Sequence, residues 1–187
     1  MIKQKGFTIL ELVVSISIFA MMTALVLSKY GKFNQGVLLT NLAYDVALSI
    51  RNAQSYGLSV KSSDRSANDF DEPYGVHFDM YSREKFIFFV GSMDKLYYDN
   101  QTTQSLSTTQ IKRGSSISNL CVVNSSNGSC DNVINLDIIF KRPDPSAIIV
   151  ESKADSKVYS RAEITVSASD KTTKKIIVNS TGQISVK

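Results

Sequence analysis

The stretch Lys5-Gly6-Phe7-Thr8-Ile9-Leu10-Glu11 opens an apolar run that continues to Leu27. Glu11 is the only charged residue between Phe7 and Leu27, and the other polar residues in the run carry small hydroxyl groups. A helix rises about 1.5 Å per residue, so about 20 apolar residues are enough to cross a bilayer. The run therefore predicts a membrane-spanning helix. A carboxylate inside such a helix is a candidate functional residue, because it needs a partner.

The six residues ahead of Phe7 contain two lysines, Lys3 and Lys5, and no acid. Positive charge before an apolar segment keeps that end in the cytoplasm. We therefore expect the N-terminus inside and the rest of the chain outside. A secretory signal has a shorter apolar core, followed by a cleavage site with small residues. Residues 25–33 offer no such site. A plain signal anchor is the alternative, and it does not account for Glu11.

The segment Lys5–Val13 resembles the class III leader and helix start of type IV pilins and pseudopilins. In that family a basic residue and a glycine precede the cleavage site, a phenylalanine follows it, and a glutamate is fifth in the mature chain. All of these occur here. The resemblance implies that a prepilin peptidase cuts between Gly6 and Phe7 and methylates the new amine of Phe7. It also implies that Glu11 neutralises the N-terminal amine of a neighbouring subunit during assembly.

The helix is predicted to continue from residue 31 to residue 57, where apolar residues recur every three or four positions. Gly31 and Gly36 flank the membrane exit, where we expect a bend or a local loss of helix. Gly57 is expected to end the helix as a left-handed cap. The predicted divisions are a leader at 1–6, a membrane and assembly half of the helix at 7–30, an amphipathic half at 31–57, and an exported domain at 58–187.

The exported domain is predicted to be mainly antiparallel β-sheet packed on the helix, an α+β fold of the pilin type. Apolar and polar residues alternate from Tyr74 to Met80, and Lys85 to Val90 returns after a turn. A terminal hairpin is predicted across Ser180-Thr181-Gly182. Residues 99–106 are predicted to form a loop, and Arg142-Pro143-Asp144-Pro145 a break. The remaining predicted strands are Lys95–Tyr98, Thr108–Lys112, Ser118–Val123, Val133–Lys141, Ala147–Ser152, Val158–Ser167, Lys174–Asn179 and Gln183–Val186.

Two cysteines, Cys121 and Cys130, flank a short polar segment. Outside the cytoplasm an oxidising environment permits a disulfide between them. Closing so short a loop stabilises a fold by about 2–3 kcal/mol in the chain-entropy description. The alternative is two unpaired thiols on neighbouring strands. No second pair of cysteines or histidines completes a zinc site.

Residues that would carry out a reaction are not evident in the sequence. His77 is the only histidine, and we expect it on the polar side of a strand, at the surface or a rim. The sequence lacks a Gly-x-Ser-x-Gly motif and a phosphate-binding glycine loop. We expect no cofactor and no enzyme activity; a membrane-tethered enzyme would need a deep cleft with converging titratable groups. Four acids lie between residues 61 and 73: Asp64, Asp69, Asp71 and Glu72. Their spacing does not match the EF-hand pattern, so we predict a solvated loop rather than a calcium site.

Three further segments are similar to GspH/FimT-type minor pseudopilins: Arg-Asn-Ala-Gln-Ser at 51–55, Tyr-Gly-Val-His-Phe at 74–78 and Ile-Val-Asn-Ser-Thr-Gly-Gln-Ile at 177–184. The resemblance implies a structural subunit of a type II secretion or type IV pilus machine. Such a subunit resides in the inner membrane and then in the filament. Its implied partners are other pilin subunits through the N-terminal helix, the prepilin peptidase, an inner-membrane assembly platform and membrane lipid.

DNA binding by a competence pilus is the alternative function. Basic side chains near the C-terminus are candidates for phosphate contacts. The net charge is only +4, and Lys3 and Lys5 supply two of those charges, which is too little to indicate nucleic acid by itself. Solvated strand faces explain the same pattern. The candidate basic residues are Lys157, Arg161, Lys171, Lys174, Lys175 and Lys187.

Overall fold

The computed structural model describes residues 6–59, 72–92, 95–101, 103–112, 114–124, 128–151 and 158–187. Within these ranges one long helix precedes ten strands that form two antiparallel sheets. The α+β fold class predicted from the sequence is confirmed. The loop acids Asp64, Asp69 and Asp71 lie outside the described residues, as does Lys157.

Helix α1 (Ile9–Leu58) contains 50 residues, which corresponds to a rod about 75 Å long. It runs through Gly31 and Gly36 without interruption, so the predicted loss of helix there is wrong. An isolated glycine costs a helix only about 1 kcal/mol, and good helix formers on both sides offset that cost. The membrane half and the amphipathic half therefore belong to one element.

Gly57 does not serve as a left-handed cap, which corrects the sequence prediction. The helix continues to Leu58, and Ser59, in an extended conformation, closes it by donating its N–H to the Ser55 carbonyl at 3.0 Å. Glycine is needed at position 57 for a different reason. A Cβ there would lie 2.5 Å from the carbonyl oxygen of Phe140, so only glycine lets the helix approach the sheet this closely.

The ten strands divide into two sheets. The strands of sheet 1 are β1 (Tyr74–Asp79), β2 (Lys85–Val90), β3 (Gln104–Gln110), β6 (Asn135–Lys141) and β7 (Asp144–Val150). Those of sheet 2 are β4 (Ser116–Val123), β5 (Cys130–Asn132), β8 (Arg161–Ser167), β9 (Thr173–Asn179) and β10 (Ile184–Val186). Sheet 1 has the strand order β3-β2-β1-β6-β7, and sheet 2 has the order β10-β9-β8-β4-β5. The terminal hairpin β9–β10 is confirmed, with Ile184 opposite Val178.

The segment between β2 and β3 departs from the sequence prediction. The predicted strand Lys95–Tyr98 forms only a single bridge, between Ser92 and Lys95, and the predicted loop 99–106 already contains the start of β3. The segment folds over the face of sheet 1 opposite the main core. Its Tyr98 packs there in a small apolar cluster with Phe89 and Ile139. Side-chain contacts with sheet 1 hold this segment, and strand pairing does not.

The predicted break at Arg142-Pro143-Asp144-Pro145 is shorter than expected, because β7 begins at Asp144 and includes Pro145. Proline is tolerated there since β7 is an edge strand. The main core lies between α1 and the inner faces of both sheets. Helix residues Leu39, Val46 and Ile50 pack in it against strand residues such as Val76, Phe78 and Ile164.

Candidate functional site

The first half of α1, as far as Ser28, is not buried against the described part of its own domain. The segment Ile9–Ser28 is long and apolar enough to cross a membrane, and none of it is buried against the described part of the chain. Phe7, Leu10 and Phe19 are each more than 70% exposed, whereas Ala43, Val46 and Ile50 in the second half are fully buried. An apolar surface of this extent needs lipid or other protein around it.

The helix start places Glu11 in the first turn. Thr8 is the N-cap, and its Oγ1 accepts the backbone N–H of Glu11 at 3.3 Å. The Thr8 hydroxyl also lies 3.5 Å from Oε2 of Glu11. Thr8-x-x-Glu11 matches the spacing of a capping box, a local signal that the sequence analysis missed. A carboxylate is favourable at this end of a helix, because the first turn carries partial positive charge.

The side-chain hydroxyls of the apolar run donate hydrogen bonds to backbone carbonyls of the same helix. Ser15, Ser17 and Thr23 donate to the carbonyls of Glu11, Val13 and Phe19 at 2.7–2.8 Å. Such bonds remove the cost of placing a hydroxyl in an apolar setting. The Glu11 carboxylate differs, since its contact within the described chain is the long one to Thr8. It remains available to a partner outside the chain.

Gly6 and Phe7 precede the helix and are exposed. No described atom lies within 4 Å of the position that a Cβ would take at Gly6, and Phe7 is 78% exposed. The peptide bond between them therefore lies in an accessible, non-helical stretch. A protease needs this kind of stretch, because the chain must enter its active site extended.

The His77 side chain is largely buried, unlike that of a surface residue. It lies on β1, its side chain is 14% exposed, and its Nδ1 is 2.6 Å from Oδ1 of Asp137 on the neighbouring strand β6. Oδ2 of Asp137 accepts the backbone N–H of Tyr98 at 3.0 Å. The imidazole stacks on the Tyr98 ring at 4.5 Å. The prediction of a simple surface or rim histidine therefore missed a buried carboxylate partner, which no local sequence signal indicates.

Cys121 on β4 and Cys130 on β5 are joined by a disulfide, with Cα atoms 5.7 Å apart. Cys121 is buried and Cys130 is exposed. The carboxylate of Glu163 lies near both sulfur atoms. Because the sulfur atoms are bonded to each other, this trio offers no thiolate to a metal ion.

The basic residues near the C-terminus are partly neutralised. Glu163 on β8 pairs with Arg161 and with Lys175, each at 3.1 Å. These contacts lie on the exposed face of sheet 2. Two of the six candidate phosphate-binding side chains are thereby engaged with an acid, which lowers the positive potential that the face presents.

Two titratable groups of the domain have shifted pKa values. Burial raises the pKa of the Tyr74 phenol, and Glu72 and Tyr56 add to that effect. The side chain and backbone N–H of Ser146 lower the pKa of the exposed Asp144 carboxyl. Tyr74 belongs to a ring cluster with Tyr56 and Phe88 that ties the helix to sheet 1. The Tyr74 shift therefore reflects packing of the helix on the sheet, and the Asp144 shift reflects local hydrogen bonds at the start of β7.

Comparison with known proteins gives one match. Residues 1–27 match the prokaryotic N-terminal methylation motif. No curated protein and no solved structure matches the chain. The motif supports a type IV pilin-like protein that a prepilin peptidase processes, a class of structural subunits. Together with the exposed apolar helix it supports anchoring in a membrane.

Proposed function

We propose that this chain is a GspH/FimT-type minor subunit of a type II secretion or type IV pilus machine. It inserts with its N-terminus in the cytoplasm, is cleaved between Gly6 and Phe7, is methylated at Phe7, and assembles through α1. The observation that carries the proposal is that the methylation motif coincides with a helix half that the described part of its own domain leaves exposed.

Assembly replaces the lipid around that helix half with the helices of neighbouring subunits. Lipid tails are as apolar as these side chains, so burial alone does not favour protein over lipid around it. Close packing of helices and satisfaction of polar groups must supply the difference. Cleavage creates an ammonium at Phe7, and Glu11 is a carboxylate within the same apolar zone. Bringing the two charges together on neighbouring subunits offsets much of the cost of holding each alone.

The exported domain is clamped onto the helix by Gln54, which is 8% exposed. Its Nε2 donates to the carbonyls of Pro145 and Gly182, both at 3.1 Å. Its Oε1 accepts from Arg51 at 2.8 Å. One side chain thus ties the rod to strand β7 and to the terminal hairpin. This clamp supports a subunit in which the domain is carried rigidly by the assembled helix.

DNA binding for a competence pilus has less support. The ion pairs of Glu163 with Arg161 and Lys175 reduce the free positive charge on the C-terminal strands. A salt-dependent gel-shift assay distinguishes the two functions, because phosphate contacts weaken steeply as salt rises. Retardation of DNA at low salt that disappears at high salt would favour the DNA-binding function.

Processing at Gly6 is the first test of the proposal. In cells that contain a prepilin peptidase, intact-mass and N-terminal analysis should find a mature chain that begins at Phe7 and carries one methyl group. Gly6→Leu should block cleavage, because a bulky side chain directly before the cut would keep the peptide bond from entering the active site of the peptidase. The matched control Gly36→Leu lies outside the motif, and nothing described occupies its Cβ position. Cleavage elsewhere, or unchanged cleavage of Gly6→Leu, would contradict the proposed processing.

The disulfide gives a second test, and it reports on export. Protein recovered from an oxidising compartment should take up no alkylating reagent at Cys121 or Cys130 until it is reduced. Cys130→Ser should lower the free energy of unfolding by about 2–3 kcal/mol, because the unfolded chain loses a cross-link. Ser129→Ala, at the exposed neighbouring position, serves as the control. Two freely reactive thiols in the exported protein would rule the disulfide out.

A further inference from the structure

A cavity of about 320 Å³ opens on the face of sheet 1 opposite the main core. This volume lies in the range of sites that hold a small molecule. Strands β1, β2 and β6 and the segment after β2 supply its walls. The side chains that line it include His77, Asp79, Lys85, Tyr98, Asn100 and Asn135. The assembly helix packs on the other face of the sheet, so subunit assembly through α1 does not account for this cavity.

Asp137 fixes the orientation of His77 in the cavity wall. Its buried carboxylate is an acceptor, so the imidazole N–H at 2.6 Å is on Nδ1. In the neutral ring that tautomer leaves Nε2 as an acceptor. Stacking on Tyr98 holds the ring plane in place. Nε2 has no hydrogen-bond partner among the residues that the structure describes. The cavity wall therefore carries a preorganised acceptor.

The other polar side chains keep part of their hydrogen-bonding capacity. Oδ1 of Asp79 accepts the N–H of Tyr81 at 2.7 Å, which leaves Oδ2. Oδ1 of Asn100 accepts from the Tyr98 hydroxyl at 2.6 Å, which leaves its amide N–H groups. The ammonium of Lys85 has no ion pair within the described ranges. Both donors and acceptors thus line one small space, and a hydroxyl group can use both because it donates and accepts.

The charges around the cavity disfavour an ionic occupant. Lys85 and Asp79 carry opposite charges, and two N–H donors already satisfy the Asp137 carboxylate. An anion would face Asp79, and a cation would face Lys85. In the described part of the chain the only trio of residues close enough to share a metal ion is Cys121, Cys130 and Glu163 on sheet 2, and none of them lines the cavity. An uncharged, hydroxyl-rich molecule meets none of these penalties.

We propose that this cavity binds one ring of an uncharged carbohydrate, such as a hexose unit of a surface or cell-wall glycan. His77 Nε2 and Asp79 accept hydrogen bonds from ring hydroxyls. Lys85, Asn100 and Asn135 donate to hydroxyl oxygens, and Ile87 supplies apolar contact with the ring. The site lies on the exported domain, so a subunit placed in a filament presents it outside the membrane.

The single histidine makes the test direct. The full-length chain, labelled at histidine and held in micelles whose detergent carries no sugar head group, is titrated with glucose and N-acetylglucosamine. Glucuronate and glucosamine serve as the charged counterparts. The imidazole NMR signals should shift in a saturable way at millimolar concentrations of the uncharged sugars and respond less to the charged ones. Absence of a saturable shift, or a preference for a charged sugar, would overturn the proposal.

Variants assign the shift to the cavity. Asn135→Ala and Lys85→Gln should each weaken binding about fivefold, the effect of one lost hydrogen bond. Asp131→Asn on β5 of sheet 2 is the matched control and should bind as the parent does. Unchanged binding by both cavity variants would overturn the proposal. An unchanged histidine spectrum of the free variants shows that the fold around His77 is intact.

Discussion

Glu11→Leu should leave the chain cleaved, methylated and inserted in the membrane, but should reduce its recovery in assembled pilin complexes at least about tenfold. The physical reason is the ammonium that the proposed cleavage would create at Phe7. In an apolar environment, removing one partner of a buried ion pair leaves the other uncompensated, at a cost of about 3–5 kcal/mol. The measurement is the share of the chain that co-purifies with partner subunits from detergent-solubilised membranes, normalised to the mature chain present.

The capping contact of Glu11 with Thr8 makes a second variant necessary. Glu11→Gln keeps a side chain suited to the third helical position but removes the charge. Its recovery in assembled complexes should fall as far as that of Glu11→Leu, because assembly needs the negative charge of Glu11 and not its contact at the helix start. Asp45→Asn, on the exposed face of the second helix half, should assemble normally. Normal assembly of Glu11→Gln would show that Glu11 acts through the helix start alone.

Gly182→Ala should destabilise the exported domain by about 2–5 kcal/mol. Gly182 has a φ of +84°, a conformation that costs a residue with a Cβ about 1–2 kcal/mol. A Cβ there would overlap the carbonyl oxygen of Pro145 and lie 2.6 Å from Nε2 of Gln54. Relieving such overpacking costs about another 1–3 kcal/mol. The change also displaces the Gln54 clamp, and thermal unfolding of the full-length chain should show Tm lowered by roughly 10 °C.

Gly128→Ala separates the two contributions to that cost. Gly128 has a φ of +64°, but nothing described lies within 4 Å of its Cβ position. Its replacement should cost only the conformational part, about 1–2 kcal/mol. Equal losses for the two variants would mean that the contact with Pro145 and Gln54 does not limit position 182.

The β domain shows how far local patterns reach. Alternation of apolar and polar residues located β1 and β2 and the terminal hairpin, because the side-chain period of a strand is visible within a few residues. It failed at Lys95–Tyr98, where the residue pattern favours a strand but the described residues form only the bridge between Ser92 and Lys95. A different local rule, that glycine caps a helix end, failed at Gly57, where glycine allows close packing against Phe140.

The sequence alone predicts the apolar first half of α1. The apolar residues that mark it are neighbours along the chain, and a helix needs no distant partner for its backbone hydrogen bonds. Only the tertiary structure decided the pairing of His77 with Asp137, 60 residues away, and the reach of Gln54 to Gly182, 128 residues away. A strand's period gives the face of each side chain but not the strand that will lie beside it. That choice depends on how both sheets and the helix together bury one core.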